Sequence, residues 1–170
     1  MPEPLIAMGH NPVIAPFRDT NHSHRRCLDT AVSTAEQACR ARGVRLTPQR
    51  RRVLELVWGS HEPVKAYDIL DRLRGEQRSA APPTVYRALE FLLRQGLIHR
   101  IESLNAYIGC GEPGHTATSQ FLICRRCGEV AELEDDAVLG QIANAAGRLG
   151  FAVDSQTIEI RGCCARCRNG

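Results

Sequence analysis

Two Cys-x-x-Cys pairs, Cys124/Cys127 and Cys164/Cys167, constrain this chain more than any other feature of it. A tight turn between paired cysteines aims both sulfurs at one point. Two such turns make a tetrahedral cage of four thiolates, which suits Zn2+ at about 2.3 Å per sulfur. The 36 residues between the pairs exceed the roughly 15–20 of a simple zinc ribbon, so a folded unit has to sit between the two halves of the clip. Cys163 offers a competing register with Cys167, and the Cys-x-x-Cys spacing favours Cys164.

Bulk properties narrow the class. Aromatic residues make up 5% of the chain, so a core here is mostly aliphatic, and small aliphatic domains often need a metal staple. Eight cysteines in a secreted chain would read as disulfides. Residues 1–26 show no basic region followed by a continuous apolar stretch, and no apolar run approaches the ~18 residues of a membrane span. Reduced, metal-binding cysteines in a cytoplasmic protein are therefore expected. Charge is uneven: residues 1–108 carry net +5 and residues 109–170 net −2. Lys65 is the only lysine. An arginine-rich first half beside a near-neutral second half fits nucleic-acid binding by the first half alone.

Residues 1–26, with Pro2, Pro4, Pro12 and Pro16, lack periodicity and read as a mobile tail; its His10, His22 and His24 read as solvated. Helical spacing then predicts a helix from Cys27 to Arg42, closed by Gly43. Cys27 and Cys39 read as small apolar residues. Thr47-Pro48 starts a second helix running to about Trp58. A third spans about 66–74, with Ile69, Leu70 and Leu73 as its buried stripe. Pro82-Pro83 opens a fourth, ended by Gln95-Gly96. Residues 97–101 and 105–108 alternate apolar and polar residues, as a β-hairpin does. Helices followed by a hairpin make a winged helix-turn-helix over 27–108, with residues 82–95 as the recognition helix. Beyond a hinge at 109–118, residues 119–170 read as a small α/β unit: strands at 120–124 and 129–133 around the first Cys pair, a helix over about 136–148, and an alternating stretch at 151–161. The fold class is α+β.

The run Ala81-Pro82-Pro83-Thr84-Val85-Tyr86-Arg87-Ala88-Leu89 resembles the recognition-helix signature of the ferric uptake regulator superfamily. Leu46-Thr47-Pro48-Gln49-Arg50 resembles that superfamily's start of helix two, and Phe121-Leu122-Ile123-Cys124-x-x-Cys127-Gly128 its first Cys pair. The resemblance runs in order over about residues 28–168. Pro82–Leu93 is worded as in the zinc uptake regulator branch. Iron and peroxide branches carry a His-rich cluster before the first Cys pair, where residues 114–120 here hold the single His115.

The resemblance implies a zinc-responsive transcriptional repressor that binds operator double-stranded DNA as a homodimer and controls zinc uptake and homeostasis genes. The alternative within the superfamily is an iron- or peroxide-responsive regulator. The zinc-branch resemblance implies two zinc ions per chain: a structural one on Cys124, Cys127, Cys164 and Cys167, which holds the C-terminal dimerisation domain together, and a regulatory one on His99, Cys110, His115 and Glu132. A mixed set of one thiolate, two imidazoles and one carboxylate suits tetrahedral zinc. On DNA, Arg87 is expected to read a guanine, Tyr86 to pack on a thymine methyl or meet a phosphate, and Thr84 to sit where phosphates approach a helix start. Arg50, Arg51 and Arg52 are expected to clamp the backbone. Asp71 and Arg74 are implied to bridge two dimers on one operator; read from spacing alone, they make a surface ion pair. The rival from another class is a thiol-redox or zinc hydrolytic protein. A catalytic zinc keeps an open position, whereas both sets here supply four protein ligands, so no enzyme is expected.

Overall fold

The computed structural model describes residues 13–17, 23–113 and 119–169. In chain order it contains β1 (Val13–Ala15), α1 (His24–Ala41), α2 (Pro48–Val57), α3 (Ala66–Glu76), α4 (Pro82–Arg94), β2 (Ile98–Ile101), a 3-10 turn (Glu102–Leu104), β3 (Ala106–Gly109), β4 (Ser119–Cys124), β5 (Val130–Leu133), α5 (Asp136–Gly147), β6 (Thr157–Gly162) and α6 (Ala165–Asn169).

The helical half forms as the apolar spacing dictates. Thr47 caps α2, its hydroxyl oxygen accepting from the Arg50 amide at 3.4 Å, and Pro48 occupies the first turn, where its missing N–H costs nothing. Val53, Leu54 and Val57 of α2, Ile69 and Leu73 of α3, and Val85, Leu89 and Leu92 of α4 are buried together. Each such side chain contributes about 1.5–3 kcal/mol by leaving water. β2 and β3 pair antiparallel, Ile98 opposite Gly109 and Ile101 opposite Ala106. The hairpin turns through Asn105, which takes the left-handed conformation at φ 47° that asparagine tolerates better than most residues. Val64 and Tyr107 exchange two backbone hydrogen bonds of 2.8 Å, which fastens the loop before α3 to this wing. Trp58 lies so close over Gly109 that a Cβ there would overlap its indole ring, so only glycine fits at the end of β3.

The second half is a four-stranded sheet in the order β1-β5-β4-β6. β4 pairs antiparallel with β5 and parallel with β6. Asp135 caps α5, its carboxylate accepting from the amides of Ala137 and Val138 at 2.9 and 3.3 Å. Apolar contact joins the halves: Ile101 of the wing packs with Phe121, Ile123 and Val130 of the sheet.

The structure departs from the sequence expectations in three places. Part of the tail expected at 1–26 is ordered: Val13–Ala15 adds an edge strand to β5, and α1 begins at His24. Three residues are too few to show an alternating pattern, and the pairing partner lies more than a hundred residues away. His10 and His22 lie outside the described residues, whereas His24 meets His61 at 3.2 Å between ring nitrogens. The stretch expected at 151–161 is a strand only from Thr157 onward, and that strand runs on to Gly162. A terminal helix, α6, carries Cys167.

Candidate metal centres and nucleic-acid face

The turn after β4 and the turn into α6 bring Cys124, Cys127, Cys164 and Cys167 together, with all four sulfurs within 4.8 Å of one another. Cys127 Sγ and Cys164 Sγ stand 3.8 Å apart, and sulfurs about 2.3 Å from a shared tetrahedral centre are about 3.8 Å apart. The local chain supports this. The Gly128 amide bonds back to the Cys124 carbonyl at 3.0 Å, and Gly128 turns through φ +77°. The Cys164 amide donates to Cys124 Sγ at 3.4 Å. Backbone N–H groups of Cys164 and Cys127 hold the Cys124 thiol down to about 5. Hydrogen bonding with Cys164, with burial second, pushes Cys167 up to about 12, and burial raises Cys127. The cage thus stabilises one thiolate by itself and leaves other protons to be displaced by a cation, which is the behaviour of a soft-metal site. Cys163 stands outside this cluster, beside Phe17 and Ile160.

A second cluster lies between wing and sheet. His99 comes from β2, Cys110 follows β3, and Glu132 comes from β5; their ligating atoms lie within 4.8 Å of one another. His99 Nε2 is 2.7 Å from Glu132 Oε1. The other ring nitrogen, Nδ1, is 3.4 Å from the Ser119 hydroxyl, a contact of the kind that fixes the ring of a metal-bound histidine. Phe121 meets the His99 ring edge-on at a centroid distance of 5.3 Å. Cys110 and Glu132 are 2% and 3% exposed. Burial, and then the Glu132 charge, push the Cys110 thiol up to about 12. A carboxylate and a thiol placed side by side out of water are costly unless a cation joins them. His115, the fourth residue expected here, lies outside the described residues.

The third feature is the outer face of α4. Val85, Ala88, Leu89 and Leu92 turn inward, leaving Tyr86 and Arg87 exposed and Thr84 half-buried in the first turn. Tyr67, at the start of α3, is 66% exposed and Tyr86 57%. Sequence reasoning passed over Tyr67; the signal was an aromatic residue falling outside the Ile69/Leu70/Leu73 stripe.

The three consecutive arginines expected as backbone clamps also make contacts within the chain. Arg50 lies 3.6 Å over the Phe91 ring and donates to the Arg45 carbonyl at 2.7 Å. Arg51 pairs with Glu36 and with Glu55 at 3.1 Å, and Arg52 with Glu76 and with Glu55 at 2.9 Å. Carboxylates from α1, α2 and α3 thus engage Arg51 and Arg52 within the helical half. Asp71 and Arg74 are exposed on α3, and Arg74 donates to the Ala80 carbonyl at 3.3 Å.

Residues 41–161 match the Ferric uptake regulator family. The Zinc uptake regulation protein of Escherichia coli (strain K12) is 45% identical over 139 residues, 80% of this chain and 80% of that protein. The protein of that name from Mycobacterium tuberculosis (strain ATCC 25618 / H37Rv) is 34% identical over 132 residues, 76% of this chain and 98% of its own length. Two solved structures are similar over most of the chain. A zinc uptake regulator complexed with zinc and DNA is 43% identical, covers 84% of this chain and 95% of that one, and superposes with a TM-score of 0.78. The crystal structure of holo XcZur is 45% identical over 84% of this chain and 99% of its own, with a TM-score of 0.76.

Proposed function

This chain belongs to the ferric uptake regulator family of transcription regulators, and from that membership we propose that it is a zinc-responsive repressor that binds operator DNA as a homodimer and controls zinc uptake and homeostasis. The observation that carries this reading is the convergence of His99 and Cys110 from the wing with Glu132 from the sheet. A site built from both halves is filled only when the halves are docked, so its occupancy reports on their arrangement. Its thiol and imidazole donors suit zinc better than manganese or magnesium.

Zinc, when bound, supplies a dication whose tetrahedral valence joins the side chains of each set. The four cysteines make a saturated cage that keeps β4, β6 and α6 in place. His99, Cys110 and Glu132, with His115 from the linker as fourth ligand, make the exchangeable site. Two zinc ions per chain follow from these two donor sets. Docking fixes each head relative to the dimerisation unit, and a fixed pair of heads matches two half-sites about 34 Å apart. Zinc and DNA then strengthen each other's binding equally, with a coupling of about 1–3 kcal/mol.

The homodimer reading is supported by α5. The helix buries none of its residues, and Val138, Ile142, Leu149 and Phe151 are exposed large apolar side chains in this unit. Such a face favours a second copy of the chain. At the DNA, Arg87 reads a base, Tyr86 meets a methyl group or phosphate, and Thr84 lies where phosphate reaches the start of α4. Arg50, Arg51 and Arg52, at the start of α2, clamp the DNA backbone, with Glu36, Glu55 and Glu76 positioning Arg51 and Arg52. Asp71 and Arg74, both outward on α3, are available to link two dimers on one operator. The site of action is the cytoplasm, where operator DNA is; among the described residues no helix is long and apolar enough to cross a membrane.

The test is a pair of variants, His99→Ala and Cys110→Ser. Each is expected to keep the four-cysteine zinc and the dimer while losing at least tenfold in zinc-dependent operator affinity. Unchanged zinc-dependent operator binding in both variants would remove the sensor from this place.

A further inference from the structure

One row of residues runs straight across the four-stranded sheet. Ala15 stands opposite Glu132, Glu132 opposite Phe121, and Phe121 opposite Glu159. Residues in register project from one face of a sheet, and three of these meet the wing. Glu132 reaches His99 at 2.7 Å. Phe121 packs against the His99 ring and Ile101. Glu159, at the far end on β6, grips the turn of the wing: Oε1 accepts from the Glu102 amide at 2.6 Å, and Oε2 from the Ser103 amide at 3.1 Å. Arg161 adds a bond of 3.2 Å to the Ser103 carbonyl.

The first amides of a 3-10 turn have no partner within the turn. A carboxylate accepting two of them makes charge-assisted bonds with no metal involved. The wing is thus held at two points of one row, by the metal ligands at His99 and by Glu159 three residues further along at Glu102. We infer that Glu159 is a latch that keeps the wing docked on the dimerisation sheet without zinc, and so sets how much zinc is needed to complete the sensor. The inference rests on the sensor reading given above. A site assembled from two halves binds more weakly in proportion to the fraction of molecules in which the halves are apart, and a latch raises the docked fraction in advance.

The test compares the full-length wild-type chain with Glu159→Ala, both with the four-cysteine site loaded. Zinc is titrated against a competing chelator, operator binding is followed at each free zinc level, and amide hydrogen exchange is read at Glu102 and Ser103. The variant is expected to bind the exchangeable zinc about three- to tenfold more weakly. Its operator-binding curve moves to higher zinc by the same factor and reaches the wild-type affinity at saturation, where zinc itself docks the wing. Exchange at the two amides becomes faster. A merely structural role would instead lower operator affinity at every zinc concentration. Superimposable zinc curves with unchanged amide exchange overturn the latch, and so does a loss of operator affinity that saturating zinc does not repair. Glu159→Gln, which keeps a neutral acceptor, is expected to fall between wild type and alanine. Absence of zinc-dependent operator binding in the wild-type chain would sink the sensor reading, while amide exchange in the variants would still decide whether Glu159 holds the wing.

Discussion

The Cys110 thiol and the Glu132 carboxylate face each other out of water, and burial together with that charge pushes the thiol up to about 12. At neutral pH the thiol therefore keeps its proton until a cation takes its place. Binding zinc at His99, Cys110 and Glu132 must release that proton, so affinity rises as pH rises and falls as pH falls. Calorimetry in buffers of different ionisation enthalpy is expected to show about one proton released from Cys110 per exchangeable zinc near pH 8. No proton release there would mean that Cys110 is not a ligand. Ser119, 3.4 Å from His99 Nδ1, escaped sequence reading because a lone serine at the start of a strand carries no signal. Cys110, His99 and Glu132 were legible only through the family resemblance; their spacing in the chain does not reveal that wing and sheet bring them together.

Among the elements, α2 is joined to its neighbours by ion pairs that the sequence does not disclose. Arg51 reaches back to Glu36 on α1, and Arg52 reaches forward to Glu76 at the end of α3. Hydrogen bonding from Arg52 holds the Glu76 carboxyl below its ordinary value of 4.5. A lowered carboxyl stabilises the fold above its unfolded-state value, and that contribution is lost as pH falls through the folded-state value. Glu76→Gln is therefore expected to lower Tm slightly at pH 7, with the gap closing below about pH 4.5; exposure of the pair keeps the effect small. A gap that persists at pH 3 would trace the loss to something other than this pair. Helices α1 to α4 were legible because apolar residues recur at helical spacing and because Thr47-Pro48 and Pro82-Pro83 mark starts. The wing was legible by alternation. β1, the parallel pairing of β4 with β6, and α6 were not, since they depend on distant partners or on runs of three to five residues. The ion pairs of the arginine run were legible only in part: Glu55 stands three and four residues further along α2, whereas Glu36 and Glu76 lie on other helices.

At the scale of the whole molecule, the proposed homodimer brings two heads into register through one dimerisation unit and one exchangeable site per chain. The outer face of α5 with Phe151 is the surface proposed above to meet a second copy. Ile142→Asp combined with Phe151→Asp is expected to give a monomer by sedimentation that retains the four-cysteine zinc, because Ile142 and Phe151 are 41% and 65% exposed in the single chain. A dimer surviving both charges would place the interface elsewhere. The central claim is that filling the site between wing and sheet switches the heads into DNA-binding register. It is tested most directly by measuring, in one titration over buffered free zinc, both the zinc bound per chain and the fraction of operator DNA retained. Operator retention is expected to rise with the second zinc per chain, after the first is already held by the four cysteines. Retention that is complete with one zinc per chain, or that fails to rise with the second, would contradict the account.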